Sequence, residues 1–236
     1  MVAPALSVVI PTRNAATRLP ACLAAVAGGA GHFSAIQIVV ADCGSSDATV
    51  SVARAAGAEI VQSVAGRGPQ LRAAVAASRG EWLLALHADT VLGPDWGAVA
   101  AAFASDPTNR DRAGYGRLVF DDPSPWAQRI AASAGWRSRR FGLPYGDQGL
   151  LLAVDFYRKV GGYPDWRLME DVALADRIGR HRLVALDFDA VTSADRYRRD
   201  GWLRRPLRNL ACLALFRLGM EPDRISRFYE GGARSR

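Results

Sequence analysis

Cysteine is scarce in this chain, and the few cysteines have no spacing that suggests a metal site or a redox pair. The 236 residues contain three, Cys22, Cys43 and Cys212, which lie far apart in the sequence. An odd and scattered set is typical of a protein in a reducing compartment rather than one held together by disulfides. We therefore expect a cytoplasmic protein.

Long apolar runs and common nucleotide-binding fingerprints are also missing. The longest uncharged stretch, Leu19–Ala41, is interrupted by glycines at 28, 29 and 31, whereas a membrane-spanning helix needs about 20 consecutive apolar residues. Met1–Ala5 has no basic start, so no signal peptide is expected. The dinucleotide fingerprint and the Walker loop are absent, which disfavours a nicotinamide enzyme or an ATPase.

Positive charge is concentrated at one end of the chain. The net charge is +7, and residues 192–236 contain eleven arginines and five acids, whereas the first 191 residues are nearly neutral. This distribution argues against a nucleic-acid-binding domain and favours an end that contacts an anionic surface, such as the inner face of a membrane.

Short apolar runs alternate with helix-like segments through most of the chain. Strands are predicted at residues 6–10, 36–41, 59–63, 82–86, 115–120 and 183–188, with helices between the early ones. Short joints between strands and helices predict a mostly parallel sheet covered on both faces, an α/β/α sandwich over residues 1–200. Residues 201–236 are predicted to form a basic amphipathic helical tail.

The predicted tail helix, residues 202–218, permits two interpretations. It could contact an anionic membrane surface peripherally, or it could pack its apolar stripe against the body. The stripe contains Leu203, Leu207, Leu210 and Ala214, and the arginines beside it are Arg204, Arg205 and Arg208.

Polar residues follow the buried strand at 82–86, where ligands bind in open α/β sheets. His87 and Asp89 are two residues apart, so they project to the same side of an extended chain and could hold a divalent cation. Alternatively, Asp89 caps the next helix and His87 makes one local hydrogen bond.

Other candidate site residues have the same two interpretations. Asp42 ends the second strand and could contact a nucleotide base, or cap a helix. The turn at residues 66–68, Gly-Arg-Gly, could offer backbone N–H groups and a guanidinium to a phosphate, or simply turn the chain.

The helix predicted at 170–180 begins with two acids. Glu170 and Asp171 could merely favour the helix dipole, or Asp171 could act as a general base. Asp147 and Gln148 lie in a glycine-bounded segment that could line a pocket, and Trp166 could stack on a sugar ring instead of packing in the core.

Six of these segments, in this order, resemble the family-two inverting glycosyltransferases of the GT-A fold. They are residues 8–14, 40–49, 66–71, 80–90, 161–163 and 169–174, and the match is particularly close to a short bacterial branch whose metal motif is His-Ala-Asp. The resemblance implies a nucleotide-diphosphate sugar donor, UDP ahead of GDP or dTDP. It also implies that Asp171 is the general base of an inverting displacement, and Glu170 is assigned to the catalytic site beside it.

The same resemblance implies roles for the remaining residues. Asp89 would bind Mn²⁺ or Mg²⁺, with His87 beside it, whereas Asp147, Gln148 and Trp166 are assigned to a small-molecule or lipid-linked acceptor from their own segments and not from the resemblance. Ala15, Cys43 and His87 stand where the family usually has acids, and imidazole at the metal site favours Mn²⁺. The implied donor-binding residues are Pro11, Thr12, Arg13, Asn14, Asp42, Gly44, Arg67, Gly68, Gln70 and Ala88.

Two other functions stay open at this point. A sugar-phosphate nucleotidyltransferase shares an α/β sheet and a metal, but such enzymes carry a glycine-rich basic loop where this chain has residues 11–14. A degenerate nucleotide-sugar-binding module without catalysis is suggested by the histidine at position 87.

Overall fold

A twisted eight-stranded sheet extends through most of the chain, and its strands coincide with the β-branched and apolar runs of the sequence. The computed structural model describes residues 3–231. The strands are β1 (Ala5–Thr12), β2 (Ala35–Asp42), β3 (Glu59–Gln62), β4 (Trp82–Ala85), β5 (Thr90–Leu92), β6 (Ala113–Phe120), β7 (Leu150–Ala153) and β8 (Leu183–Thr192).

The order of the strands is β3-β2-β1-β4-β7-β6-β8-β5. Strands β1 to β4 are mutually parallel, as predicted, and β6 pairs with β8 in parallel. β7 lies antiparallel between β4 and β6, and β5 lies antiparallel on β8. β5 was not predicted, because three residues are too few to show a periodic pattern.

Every residue of β4 and β7 is buried, although successive residues of a strand face opposite sides of the sheet. Both faces of the sheet are therefore covered. This confirms the predicted α/β sandwich, whose main core spans β1, β2, β4 and β7. The α-helices are α1 (Leu19–Gly28), α2 (Thr49–Ala55), α3 (Arg67–Ala76), α4 (Trp96–Ser105), α5 (Pro125–Phe141), α6 (Val154–Lys159), α7 (Glu170–Ile178), α8 (Asp195–Asp200), α9 (Arg204–Arg217) and α10 (Pro222–Gly231).

The carboxyl-terminal helices share a hydrophobic cluster with the body. Cys212 of α9 and Ile225 of α10 are fully buried against Met169, Val172 and Ala175 of the α7 region. The predicted boundary after residue 200 falls at the turn between α8 and α9, and the division into two domains stays a prediction. Residues 232–236 of the predicted tail lie outside the described part of the chain.

No helix within residues 3–231 combines the length and the apolar character that a bilayer crossing requires.

Candidate functional site

A cavity of about 370 Å³ opens beyond the carboxyl ends of β1 and β4, and we call it the strand-end cavity. This is where a parallel sheet is expected to bind ligands, because the ends of neighbouring parallel strands converge at one edge. It is lined by Pro11, Thr12, Arg13, Asn14, Ala15 and Arg18 after β1, Arg67 and Gln70 of α3, His87, Ala88 and Asp89 after β4, and Ser193, Asp195, Arg196 and Arg199 after β8.

Asp42 does not line this cavity, but it fixes the neighbouring loop after β2 through hydrogen bonds. Its side chain is buried and accepts hydrogen bonds from the Thr12 hydroxyl (3.1 Å), the Gly44 N–H (2.9 Å) and the Ser45 N–H (2.9 Å). Burial by itself would raise the pKa of Asp42, but these bonds and the one from the Ser45 hydroxyl lower it. Asp42 and Gly44 were both predicted to contact the donor. In the structure the Asp42 carboxylate accepts the backbone N–H groups of Gly44 and Ser45, and a contact of Asp42 or Gly44 with the donor stays a prediction.

Gln70 connects the ends of β1 and β2. Its amide nitrogen donates to the Thr12 carbonyl (2.8 Å) and the Ala41 carbonyl (2.7 Å), and its side chain also lines the cavity.

The Gly-Arg-Gly segment, for which a phosphate contact and a simple turn were both open, leads into the first turn of helix α3. Gly66, with a φ of 141°, precedes the helix. The Gly68 N–H donates to the Trp166 carbonyl at 3.0 Å, and a Cβ on Gly68 would lie 2.2 Å from the Pro164 carbonyl oxygen. Gly68 is therefore the point where α3 touches the loop before α7, and its contact with the donor stays a prediction.

The Arg67 side chain extends from that same helical turn into the cavity. The guanidinium lies in the favourable field of the carboxylates of Asp171 and Asp89. In the described part of the chain its side chain makes no hydrogen bond, so its donors are available to an anionic ligand.

His87 and Asp89 enter the cavity where β4 ends. A Cβ on Gly146 would lie 2.5 Å from Nε2 of His87, so the imidazole is held against a glycine backbone. Burial first, then the charges of Arg67 and Arg196, lower the pKa of His87 well below its usual value, which keeps the ring neutral as a metal ligand must be.

Within residues 3–231, no cluster of three or more His, Cys, Asp or Glu side chains has metal-binding geometry. Of the described residues, His87 and Asp89 line the strand-end cavity together just after β4. Such a pair would suit a divalent ion that is bound in part by groups other than protein side chains, as Mg²⁺ commonly is.

A second cavity, of about 100 Å³, adjoins the first beneath the carboxyl-terminal helices, and we call it the helix-covered cavity. The two cavities share Arg67, His87, Asp89, Ser193 and Arg196 as lining residues. The helix-covered cavity is also lined by Tyr145, Asp147, Met169, Asp171, Tyr197, Arg205, Asn209, Cys212 and Tyr229, among others.

Asp171 is held in one orientation at the start of α7. Its Oδ2 accepts the Gly146 N–H at 3.0 Å and its Oδ1 accepts the Val172 N–H at 2.8 Å. Met169, just before the helix, has a φ of 68°, a left-handed conformation that non-glycine residues rarely adopt. Strain of this kind often occurs where a functional side chain must be positioned.

Glu170, predicted to be catalytic with Asp171, points away from both cavities. It is 1% exposed, and neither carboxyl oxygen has a hydrogen-bond partner within the described residues. Burial, then the neighbouring Asp171 charge, raise the pKa of Glu170 to about 8, so it is protonated at neutral pH. It lines neither cavity, although Asp171 lines the helix-covered one, because consecutive residues of a helix face different directions.

Asp147 lines the helix-covered cavity, and its contact with an acceptor stays a prediction. Burial is the largest cause that raises its pKa, to about 6, and its Oδ1 is buried without a partner in the described part of the chain. A carboxyl with such a pKa changes its charge near neutral pH.

The other two residues predicted to contact the acceptor lie elsewhere. Gln148 is buried, with its amide nitrogen bonded to the Gly116 carbonyl (3.0 Å) and its oxygen to the Ser138 hydroxyl (2.8 Å). Trp166 packs edge-on against Phe216 of α9, 5.9 Å between ring centres. Both side chains join segments distant in sequence, which local patterns do not reveal.

Residues 7–159 match the family described as glycosyl transferase family 2, which is well over half of the chain. The chain belongs to that family. No curated protein sequence matches this glycosyltransferase closely enough to count as a relative.

Solved structures show the same GT-A fold. Mannosyl-3-phosphoglycerate synthase from Rubrobacter xylanophilus is 20% identical, with a TM-score of 0.63 over 92% of this chain and 74% of that one. Glucosyl-3-phosphoglycerate synthase from Mycobacterium tuberculosis, solved with Mn²⁺, UDP and glucosyl-3-phosphoglycerate, is 16% identical, with a TM-score of 0.57 over 79% and 70%. S. aureus TarS 1-349 is 14% identical, with a TM-score of 0.60 over 94% and 68%.

Sequence patterns missed the part of the glycosyltransferase site that follows β8. Ser193, Arg196 and Tyr197 line the cavities from α8 and the residues before it, while Arg205, Asn209 and Tyr229 do so from α9 and α10. The excess of arginine after residue 192 was a signal for this, but it suggested an external anionic surface. Several of these arginines instead face an internal cavity.

Proposed function

We propose that this glycosyltransferase transfers a sugar from a nucleotide-diphosphate sugar to an acceptor hydroxyl, with inversion at the anomeric carbon. One observation carries the proposal: two cavities meet at Arg67, His87 and Asp89, and the second is lined by Asp171. The donor occupies the strand-end cavity and the acceptor reaches it through the helix-covered cavity.

The donor is a UDP-sugar ahead of the GDP- and dTDP-linked forms. The structurally similar glucosyl-3-phosphoglycerate synthase was solved with UDP-glucose and Mn²⁺, which supports this order. Residues 11–14 border the base, and the guanidinium groups of Arg67 and Arg196 bind the diphosphate, since planar guanidinium groups suit phosphate oxygens.

Asp89 and His87 would hold a divalent ion, Mn²⁺ or Mg²⁺, in the strand-end cavity. When bound, it offsets the negative charge that grows on the departing diphosphate. Asp171 accepts the proton of the attacking hydroxyl, and the N–H groups of Gly146 and Val172 keep its carboxylate facing the cavity.

A thermal-shift screen of nucleotides and nucleotide sugars, with and without Mn²⁺, tests this function. A donor at a hundredfold excess over its dissociation constant stabilises the native state by about 2.7 kcal/mol, a rise in Tm of roughly 5–11 °C for a chain of this size. Asp89→Asn should remove the part of the shift that depends on Mn²⁺, whereas Asp95→Asn, an exposed carboxyl outside both cavities, should not.

The alternatives give different results in the same experiments. Pyrophosphate release from a nucleoside triphosphate and a sugar phosphate would instead identify a nucleotidyltransferase. Donor binding that is independent of Mn²⁺, with no transfer or slow donor hydrolysis, would identify a non-catalytic binding module. The anomeric configuration of the product, read by NMR, tests inversion.

A peripheral membrane contact is also part of the proposal, but with fewer arginines than the sequence suggested. Arg205 and Arg208 form ion pairs with Asp200, so of the three arginines predicted to face the membrane Arg204 is the exposed one. Leu203, Leu207 and Leu210 are each at least 60% exposed. We expect co-sedimentation with anionic liposomes at low salt that weakens at high salt, and no binding at low salt would reject the contact.

The proposed site of action is the cytoplasm. Cys22, Cys43 and Cys212 are all free thiols, which supports a reducing compartment.

A further inference from the structure

A groove of about 750 Å³ separates helix α5 from helix α9, and we call it the α5–α9 groove. Its volume falls within the range of about 300–1,000 Å³ that is usual for ligand pockets. Its walls are mainly apolar, formed by Leu118, Ile130, Ala134, Trp136, Phe141, Leu143, Pro206, Leu210 and Leu213, with Ser133, Arg137 and Arg217 among the polar lining residues.

The inner end of the groove adjoins the helix-covered cavity. Tyr145, Asp147, Tyr197 and Asn209 line both spaces. The outer end opens between large apolar side chains that are exposed to solvent, which include Trp136 (57%), Phe141 (51%) and Leu210 (60%).

Polar atoms without partners belong to Asp147, which lines both spaces, and to Arg137, which lines the groove and stacks on Tyr145. Nη2 of Arg137 and Oδ1 of Asp147 are both buried and make no hydrogen bond within the described residues. Such atoms are costly unless a ligand satisfies them. The space therefore suits a ligand with polar groups at one end and an apolar chain at the other.

We propose that the α5–α9 groove binds the apolar chain of an amphiphilic alcohol, the acceptor of the reaction. The inference rests on the proposed function and specifies its substrate class. The hydroxyl end lies in the helix-covered cavity, where its oxygen forms a bond to the anomeric carbon and its proton passes to Asp171. The bond between that carbon and the diphosphate oxygen breaks, and the nucleoside diphosphate leaves with the electron pair.

The chain-length dependence of binding tests this proposal. The probes are n-alkyl β-glucosides from hexyl to decyl, each below its micelle concentration, titrated calorimetrically into the full-length protein. If the groove buries each added methylene, affinity should rise about fourfold per methylene, the fold-change that corresponds to about 0.8 kcal/mol. Affinities that do not rise with chain length would overturn the proposal.

Two exposed leucines on the same helix provide a matched pair of variants. Leu210 lines the groove and is 60% exposed, whereas Leu207 does not line it and is 64% exposed. Leu210→Glu should abolish the chain-length dependence and Leu207→Glu should retain it. Equal losses in both variants would show general apolar adsorption and would overturn the proposal. Ser133→Trp, which fills the groove from the α5 wall, should act as Leu210→Glu does.

Two further measurements separate this inference from its alternatives. Donor stabilisation by Mn²⁺ and nucleotide sugar should be the same in both leucine variants, so failure of the groove and failure of the proposed function are distinguishable. Sedimentation velocity detects the other occupant, a second copy of the chain. A wild-type dimer that Leu210→Glu converts to a monomer, with no glucoside binding, would also overturn the proposal.

Discussion

At the scale of single residues, two adjacent acids illustrate how environment divides chemical roles. Asp171 lines a cavity and accepts two backbone N–H groups, whereas Glu170, one residue earlier, is buried with no donor within the described residues. The same carboxyl chemistry therefore gives one group available to substrate and one that stays protonated.

Asp171→Asn should retain donor binding and lose transfer. General-base catalysis is worth about 10² to 10⁴ in rate, so we expect kcat to fall by roughly that factor while the Mn²⁺-dependent thermal shift persists. Asp147→Asn is the matched control in the same cavity, and its loss should be smaller if it only contacts the acceptor. Transfer that continues undiminished in Asp171→Asn would eliminate this residue as the base.

At the scale of elements, the contact between α3 and the loop before α7 joins the two halves of the site. The Arg67 side chain extends from the first turn of α3, next to the hydrogen bond that the Gly68 N–H donates to the Trp166 carbonyl. The loop that contains Trp166 continues into Met169 and Asp171. A glycine is needed because the two backbones approach too closely for any side chain.

Gly68→Ala should therefore destabilise the fold, although alanine normally favours a helix over glycine. The added Cβ would lie 2.2 Å from the Pro164 carbonyl oxygen, and overpacking of this kind costs about 1–3 kcal/mol. Gly28→Ala, at the end of α1, has no atom within 4 Å of the new Cβ and serves as the control. Urea denaturation measures both, and equal midpoints would contradict the close approach.

At the scale of the whole molecule, a buried carboxyl couples folding to pH. The pKa of Glu170 rises from 4.5 in the unfolded chain to about 8 in the fold, mainly because of burial. The native state therefore binds more protons than the unfolded state between these values, and stability falls as pH rises through this window. Below it, both states are protonated and the term is constant.

Glu170→Gln should remove this pH dependence. The free energy of unfolding of the variant relative to wild type should increase from pH 5 to pH 8, by at most about 1.4 kcal/mol per pH unit. Asp147, whose pKa is about 6, contributes in the same direction but is present in both proteins. Glu221→Gln is the control for the loss of a surface carboxyl. Parallel pH profiles of wild type and Glu170→Gln would contradict the assignment.

The amino-acid sequence by itself determined the α/β alternation, the family, and the positions of His87, Asp89 and Asp171 at the ends of secondary-structure elements. Those features depend on the spacing of apolar residues and on the order of short motifs, both of which can be read directly from the sequence. Only the tertiary structure decided which arginines face the site and which acids are buried. Arg205 and Arg208 form ion pairs with Asp200, and the Gln148 side chain accepts a hydrogen bond from Ser138. Gly68 lies against the Pro164 carbonyl. These contacts form because packing brings together residues that are separated in the sequence or lie on different faces of a helix.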